Sequence, residues 1–166
     1  MATTAERKKL HDLMSLLLAH KDQVHYPRHD VRGAADAATW RITTEAGARR
    51  KLNSGGSLMF DCSQSTQQLC RWAGLRDPCG HEYAWAGFTG DMLRYLRHYS
   101  DPEAAFVGAL VVFGPATGEH VSMVYEPGRD PLLWSQGFEG GPELIRLSAQ
   151  AARHHKPVTF CSIAKL

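Results

Sequence analysis

Gly108-Ala109-Leu110-Val111-Val112-Phe113-Gly114, followed by Gly118-Glu119-His120-Val121-Ser122-Met123-Val124-Tyr125, is the stretch that decides the fold. Each run is apolar, strand-length and bounded by turn residues, and only the short Gly114-Pro115 to Gly118 turn separates them. The spacing predicts two short buried strands, Ala109 to Phe113 and Val121 to Tyr125. Working toward the C-terminus, Leu132 to Gln136 and Val158 to Ile163 read as two more, set apart by Pro127-Gly128 and Gly140-Gly141-Pro142.

Toward the N-terminus the period changes. Leu10, Leu13, Met14, Leu17 and Leu18 recur at helical spacing between Thr4 and Lys21, with Thr3 or Thr4 as N-cap and Glu6 in the first turn. Ser63 to Ala73 reads as a second helix stopped by Gly74, so that Cys62 stands at its start. Thr89 is expected to cap a third, running through Leu96 and His98 to Asp101-Pro102. His25 to Arg41 holds at most a short helix ending near Trp40, and Lys51 to Ser57 reads as a loop. Helices lead and an antiparallel sheet of four or more strands follows, the α+β arrangement.

The 166 residues suit one domain, 1–166, with 1–55 a helical N-terminal subregion and 58–163 the core that carries the chemistry. With 43% hydrophobic and 22% charged residues and a net charge of +2, the composition is that of a globular chain and argues against a nucleic-acid partner. No run approaches the ~18 apolar residues of a membrane helix. Lys8 and Lys9 precede Leu10 to Ala19, but His11, Asp12 and Ser15 interrupt that stretch and no cleavage site follows, so no signal peptide is expected. Cys62, Cys70, Cys79 and Cys161 are too few and too irregular for a disulfide scaffold, and reduced thiols are expected.

A nucleophilic cysteine must be stabilised as thiolate, and a helix N-terminus supplies both that and donors for an oxyanion. Cys62, after a possible capping Asp61, is placed for the role, while Cys70 lies two turns further on. His120, opening a strand just after a turn, is the favoured base among nine histidines. A third polar group on the next strand would orient it, and Ser135 and Gln136 both stand there. The other chemical candidate is a zinc site built from Cys70, Cys79, His81 and His154-His155, whose spacing fits no usual zinc pair. Trp40, Trp72 and Trp134 read as core, and Trp85 as a wall of a substrate cleft.

Phe60-Asp61-Cys62-Ser63, the Gly108 strand and Gly118-Glu119-His120-Val121-Ser122-Met123-Val124 together resemble NlpC-type papain-like peptidases of bacterial cell-wall peptides. Asp130-Pro131-Leu132-Leu133-Trp134-Ser135-Gln136 to Pro142 is similar to the peptidase domain of endolysins from phages of actinobacteria. The resemblance covers about Phe60 to Pro142. It implies a papain-like fold, Cys62 as nucleophile, His120 as base, Gln136 as third member, and Asp61, Ser63, Tyr26 and Trp85 near the substrate. It further implies a peptidoglycan hydrolase. No metal, cofactor or membrane attachment is expected, and a monomer is favoured. Such an enzyme would wait in the host cytoplasm before acting on the wall. Two departures stand out, Gln64 where the family has Gly and Gln136 where many relatives have His. They permit one alternative, a non-catalytic wall-binding or virion structural module, and the same Cys-His pairing permits another, a muramoyl-alanine amidase or amide acyltransferase.

Overall fold

A computed structural model of the chain describes residues 2–27, 37–137 and 141–163. Helix α1 spans Thr4–Ala19 and opens on a reciprocal capping box, with Thr3 Oγ1 accepting from the Glu6 N–H and Glu6 Oε2 from the Thr3 N–H. Its apolar stripe buries Leu10, Leu13, Met14 and Leu17. A 3₁₀ turn leads to β1, Val24–His25, which pairs in parallel with β2, Leu58–Met59. Between them lies α2, Glu45–Asn53, capped by Thr44. Of the short helix expected before Trp40, residues 37–40 are helical, and residues 28–36 lie outside the described ones.

Helix α3, Cys62–Ala73, is the structural centre. It ends on Gly74 in the left-handed conformation, φ 76°, as the sequence signalled. Ten of its residues are buried, polar ones included, and the buried polar side-chain atoms other than Gln68 Oε1 are hydrogen-bonded. Ser65 Oγ donates to the Cys62 carbonyl and Thr66 Oγ1 to that of Ser63, while Gln68 Nε2 reaches the carbonyls of Thr39 and Ile42. A buried amide left unpaired would cost about 1–3 kcal/mol, so these bonds tie the segment before α2 onto α3.

Helix α4, Thr89–Tyr95, is shorter than the sequence suggested. Its N-cap is Phe88 rather than Thr89, and Leu96 turns extended so that Arg97–Tyr99 forms an edge strand, β3. The remaining elements are β4 Leu110–Phe113, β5 His120–Glu126, β6 Leu132–Gln136, β7 Pro142–Arg146, α5 Leu147–His154 and β8 Val158–Ser162. Strands β3 to β8 make one sheet of six in the order β3-β8-β4-β5-β6-β7, antiparallel throughout. The α+β class read from the sequence is the class observed.

Both faces of the sheet are covered. On one, Leu110, Val112, Val121, Met123, Trp134 and Cys161 pack with the buried residues of α1 and α3. On the other, Val111, Phe113, Val124, Leu133 and Phe160 pack with Leu147 and Ala151 of α5. Successive side chains of a strand take opposite faces, so each position on β5 and β6 is assigned to the α3 side or the α5 side. That assignment fixes the site.

Candidate active site

Asp61 Oδ1 accepts from the Gln64 N–H and from Ser63 Oγ, both at 2.9 Å, and Gln64 Oε1 reaches back to the Asp61 N–H at 3.3 Å. Gln64 thus completes a capping box and fixes the entry of α3. Cys62 follows as the first helical residue, 7% exposed, against the backbone of Val121 on β5. Burial, with the Asp61 charge beside it, pushes the Cys62 thiol up to about 11, against the pull of backbone hydrogen bonds at Val121, Ser63 and Cys62 itself.

Cys62 is one of the residues lining a cleft of about 410 Å³. Its other lining residues are Tyr26, Asp61 and Ser63, then Phe88, Thr89, Asp91 and Arg94 at the start of α4, and Thr117 to Glu119 of the β4–β5 turn, which packs on α4. Gly90 makes that packing possible, since a Cβ there would stand 2.9 Å from the Thr117 carbonyl oxygen. Burial raises the Asp91 carboxyl, but the Phe88 N–H, His81 and Arg94 outweigh it and hold the group below the ordinary carboxylate range. The sequence reading found Tyr26, Asp61, Cys62 and Ser63. It missed Asp91, Arg94 and Glu119, although Glu119 stands directly before His120 and Asp91 three residues after Phe88 is a capping spacing.

His120 is not in this cleft. With Ser122 and Val124 it takes the α5 face of β5, whereas Val121 and Met123 take the face that packs on α3. Its ring stacks on His154 of α5 at 4.7 Å and lies 6.0 Å from Phe113. Nε2 is 2.9 Å from Ser135 Oγ and 3.2 Å from Ser122 Oγ. Ser135 Oγ accepts from Ser122 Oγ and Gln150 Nε2, so its own proton is directed at the imidazole, which therefore presents a bare Nε2. Burial, then His154 and Arg153, push the His120 pKa down to about 3.

The third position is also corrected. Ser122 pairs with Ser135, which puts Ser135 on the His120 face and Gln136 on the opposite one. Gln136 donates instead to the Phe60 carbonyl at 3.3 Å, tying β6 to the chain just before Cys62. It positions the start of α3 and does not touch the imidazole. Trp85 stands outside the cleft lining, and Phe88 takes the wall position expected of it. Trp72 and Trp134 are core, as read.

Cys70 and Cys79 belong to the core on the α3 side, while His154 lies over the other face of the sheet. Among the described residues no three His, Cys, Asp or Glu side chains are grouped to hold a metal ion. No helix among them is long and apolar enough to cross a membrane.

No family model and no curated protein matches the sequence significantly. Among solved structures, the chain is similar to the P60 domain of an antigen of M. avium paratuberculosis. Identity is 18%, the TM-score is 0.38, and the match covers 71% of this chain and 92% of that one.

Proposed function

We propose that the protein is a cysteine-dependent amide hydrolase of the NlpC type, with Cys62 as nucleophile and peptidoglycan stem or cross-bridge peptides as substrate. The observation that carries the reading is Cys62, set at the first turn of α3 and lining a cleft of about 410 Å³. The backbone N–H groups at Cys62 and Ser63, which pull the thiol pKa down against its burial, are the kind of donor that holds an oxyanion. The sulfur attacks the amide carbonyl as its proton passes to His120. Collapse of the tetrahedral intermediate returns that proton to the departing amine, and water then releases the acyl group from the thioester.

This sequence requires the imidazole on the cleft side. His120 stands between Glu119, a cleft residue, and Val121, whose backbone meets the thiol. To reach it, His120, the first residue of β5, would have to leave its pairing with Phe113 and its contacts with Ser135 and His154, so that the backbone at the start of β5 turns over. On this reading the arrangement described is the resting state, in which burial keeps the thiol and the imidazole neutral. The resemblance in residues 60–142 further suggests the setting: a phage endolysin or its catalytic domain, held in the host cytoplasm until lysis.

A second reading, a wall-binding module without catalysis, is favoured by the burial of His120 on the far face and the elevated thiol. Turbidity loss of mycobacterial-type cell walls, with mass spectrometry of released fragments, separates the two. Lysis by the wild type that vanishes in both Cys62→Ala and His120→Ala is the expected result. Lysis that survives Cys62→Ala refutes the mechanism, and folded wild type that binds walls without releasing peptides makes the protein the binding module.

A further inference from the structure

A single exposed apolar side chain is ordinary, but large ones grouped on a fixed surface mark a binding site. Among the described residues three are so exposed, and two of them, Trp85 at 58% and Phe88 at 65%, stand three residues apart beside the cleft. Trp85 is fixed from beneath. His81 stacks on one face of its indole at 4.6 Å, and His81 Nε2 is paired with Asp91 Oδ2 at 3.2 Å, which binds the platform to the cleft wall.

The loop beneath is held in a costly conformation. Glu82 and Tyr83 both have positive φ, 51° and 61°, a region that non-glycine residues seldom adopt. The buried Asp77 carboxylate enforces it by accepting from the N–H groups of Cys79, His81 and Tyr83 and from Gln67 Nε2. Gln67 also accepts from the Gly87 N–H, so both ends of the loop are tied to α3. Strain held by a buried network, with two aromatic rings displayed at the end, is the pattern of a preorganised binding element.

We propose that Trp85 and Phe88 form a stacking subsite for the sugar rings of an N-acetylated hexosamine glycan. The open face of the indole suits the C–H face of a pyranose, and Thr89, Asp91 and Arg94 beside Phe88 offer donors and acceptors to ring hydroxyl and acetamido groups. A protein partner fits less well. Two aromatic side chains bury about 150–250 Å² each, well short of the roughly 800 Å² per partner of a stable protein interface. The choice of N-acetylated hexosamine among sugars rests on the hydrolase reading: the glycan would carry the peptide whose amide enters the cleft.

The test is independent of cleavage. The full chain is titrated with a β-1,4-linked tetramer of N-acetylglucosamine while the indole N–H signals of its four tryptophans are followed by NMR. The Trp85 signal should shift selectively. The dissociation constant should rise about threefold to tenfold in Trp85→Ala and recover in Trp85→Phe, since an aromatic stacking contact is worth roughly 0.5–1.5 kcal/mol. No binding at millimolar tetramer, equal affinity in Trp85→Ala, or partition onto phosphatidylcholine vesicles in place of sugar binding would overturn the proposal. Binding through Trp85 by a protein that fails to lyse walls would uphold the subsite while refuting the hydrolase. Lysis without tetramer binding would do the reverse.

Discussion

Replacing Asp77 by alanine should destabilise the protein by about 4 kcal/mol. The carboxylate is 2% exposed and accepts four hydrogen bonds, at 2.7 Å from Gln67 Nε2, 2.9 Å from the Cys79 N–H, 3.1 Å from the His81 N–H and 2.9 Å from the Tyr83 N–H. Bonds to a charged acceptor contribute about 1.5–3 kcal/mol each, which caps the loss at roughly 6–12 kcal/mol. Two effects reduce it. Water entering the vacated space re-pairs the half-buried His81 and Tyr83 amides, and the cost of burying the charge disappears. For a domain of this size a loss of 4 kcal/mol lowers the melting temperature by roughly 8–16 °C. Urea denaturation gives the free energy directly, with amide hydrogen exchange of residues 79–87 reporting the loop. Asp77→Asn should fall between, because its amide keeps one acceptor but turns a donor toward two N–H groups. A change below about 1 kcal/mol with unaltered exchange would show that the Asp77 network does not hold the loop, and the preorganisation of Trp85 would fall with it.

Acid should destabilise the fold through His120. Its folded pKa of about 3 lies below the unfolded value near 6.5, so its contribution is complete above pH 6.5 and is lost as pH falls toward 3, by a total of roughly 5 kcal/mol. His120→Asn should flatten that limb of the stability profile, and an unchanged limb would contradict the burial argument. Alkylation offers a second check. A Cys62 thiol near 11 is about a hundredfold poorer in thiolate at pH 7 than one near 9, so iodoacetamide should modify it slowly, with the rate climbing steadily above pH 9. Rapid labelling at pH 7 would mean that the thiol is already activated in the free protein.

What the sequence disclosed follows from where its signals are local. Thr3 with Glu6, Asp61 at the start of α3 and Gly74 at its end are capping residues whose effect is confined to one turn, and each marks its boundary. The Cys62 position was legible for the same reason. Strand β7 was hidden behind Gly140-Gly141-Pro142, which reads as a turn, and its residues alternate only weakly in burial. Helix α2 was missed because its inward face is Ala48 and Leu52 alone. The partner of His120 was beyond reach for a different reason. Which of Ser135 and Gln136 shares its face depends on the register between β5 and β6, and a bulge between Val124 and Glu126 shifts that register by one residue. No periodicity in the sequence carries that information.

The place of β8 has a consequence for biosynthesis. Although it comes last of the strands in the chain, it lies between β3 and β4, pairing Arg97–Tyr99 on one side and Leu110–Phe113 on the other. Residues are added to a growing polypeptide at about 5–20 per second, and until β8 emerges β4 is an open, wholly apolar edge and β3 has no neighbour in the sheet. The nascent protein therefore passes through an interval in which the rest of the sheet can assemble while one edge invites pairing with other chains. Any premature stop before Val158 would leave it in that state permanently.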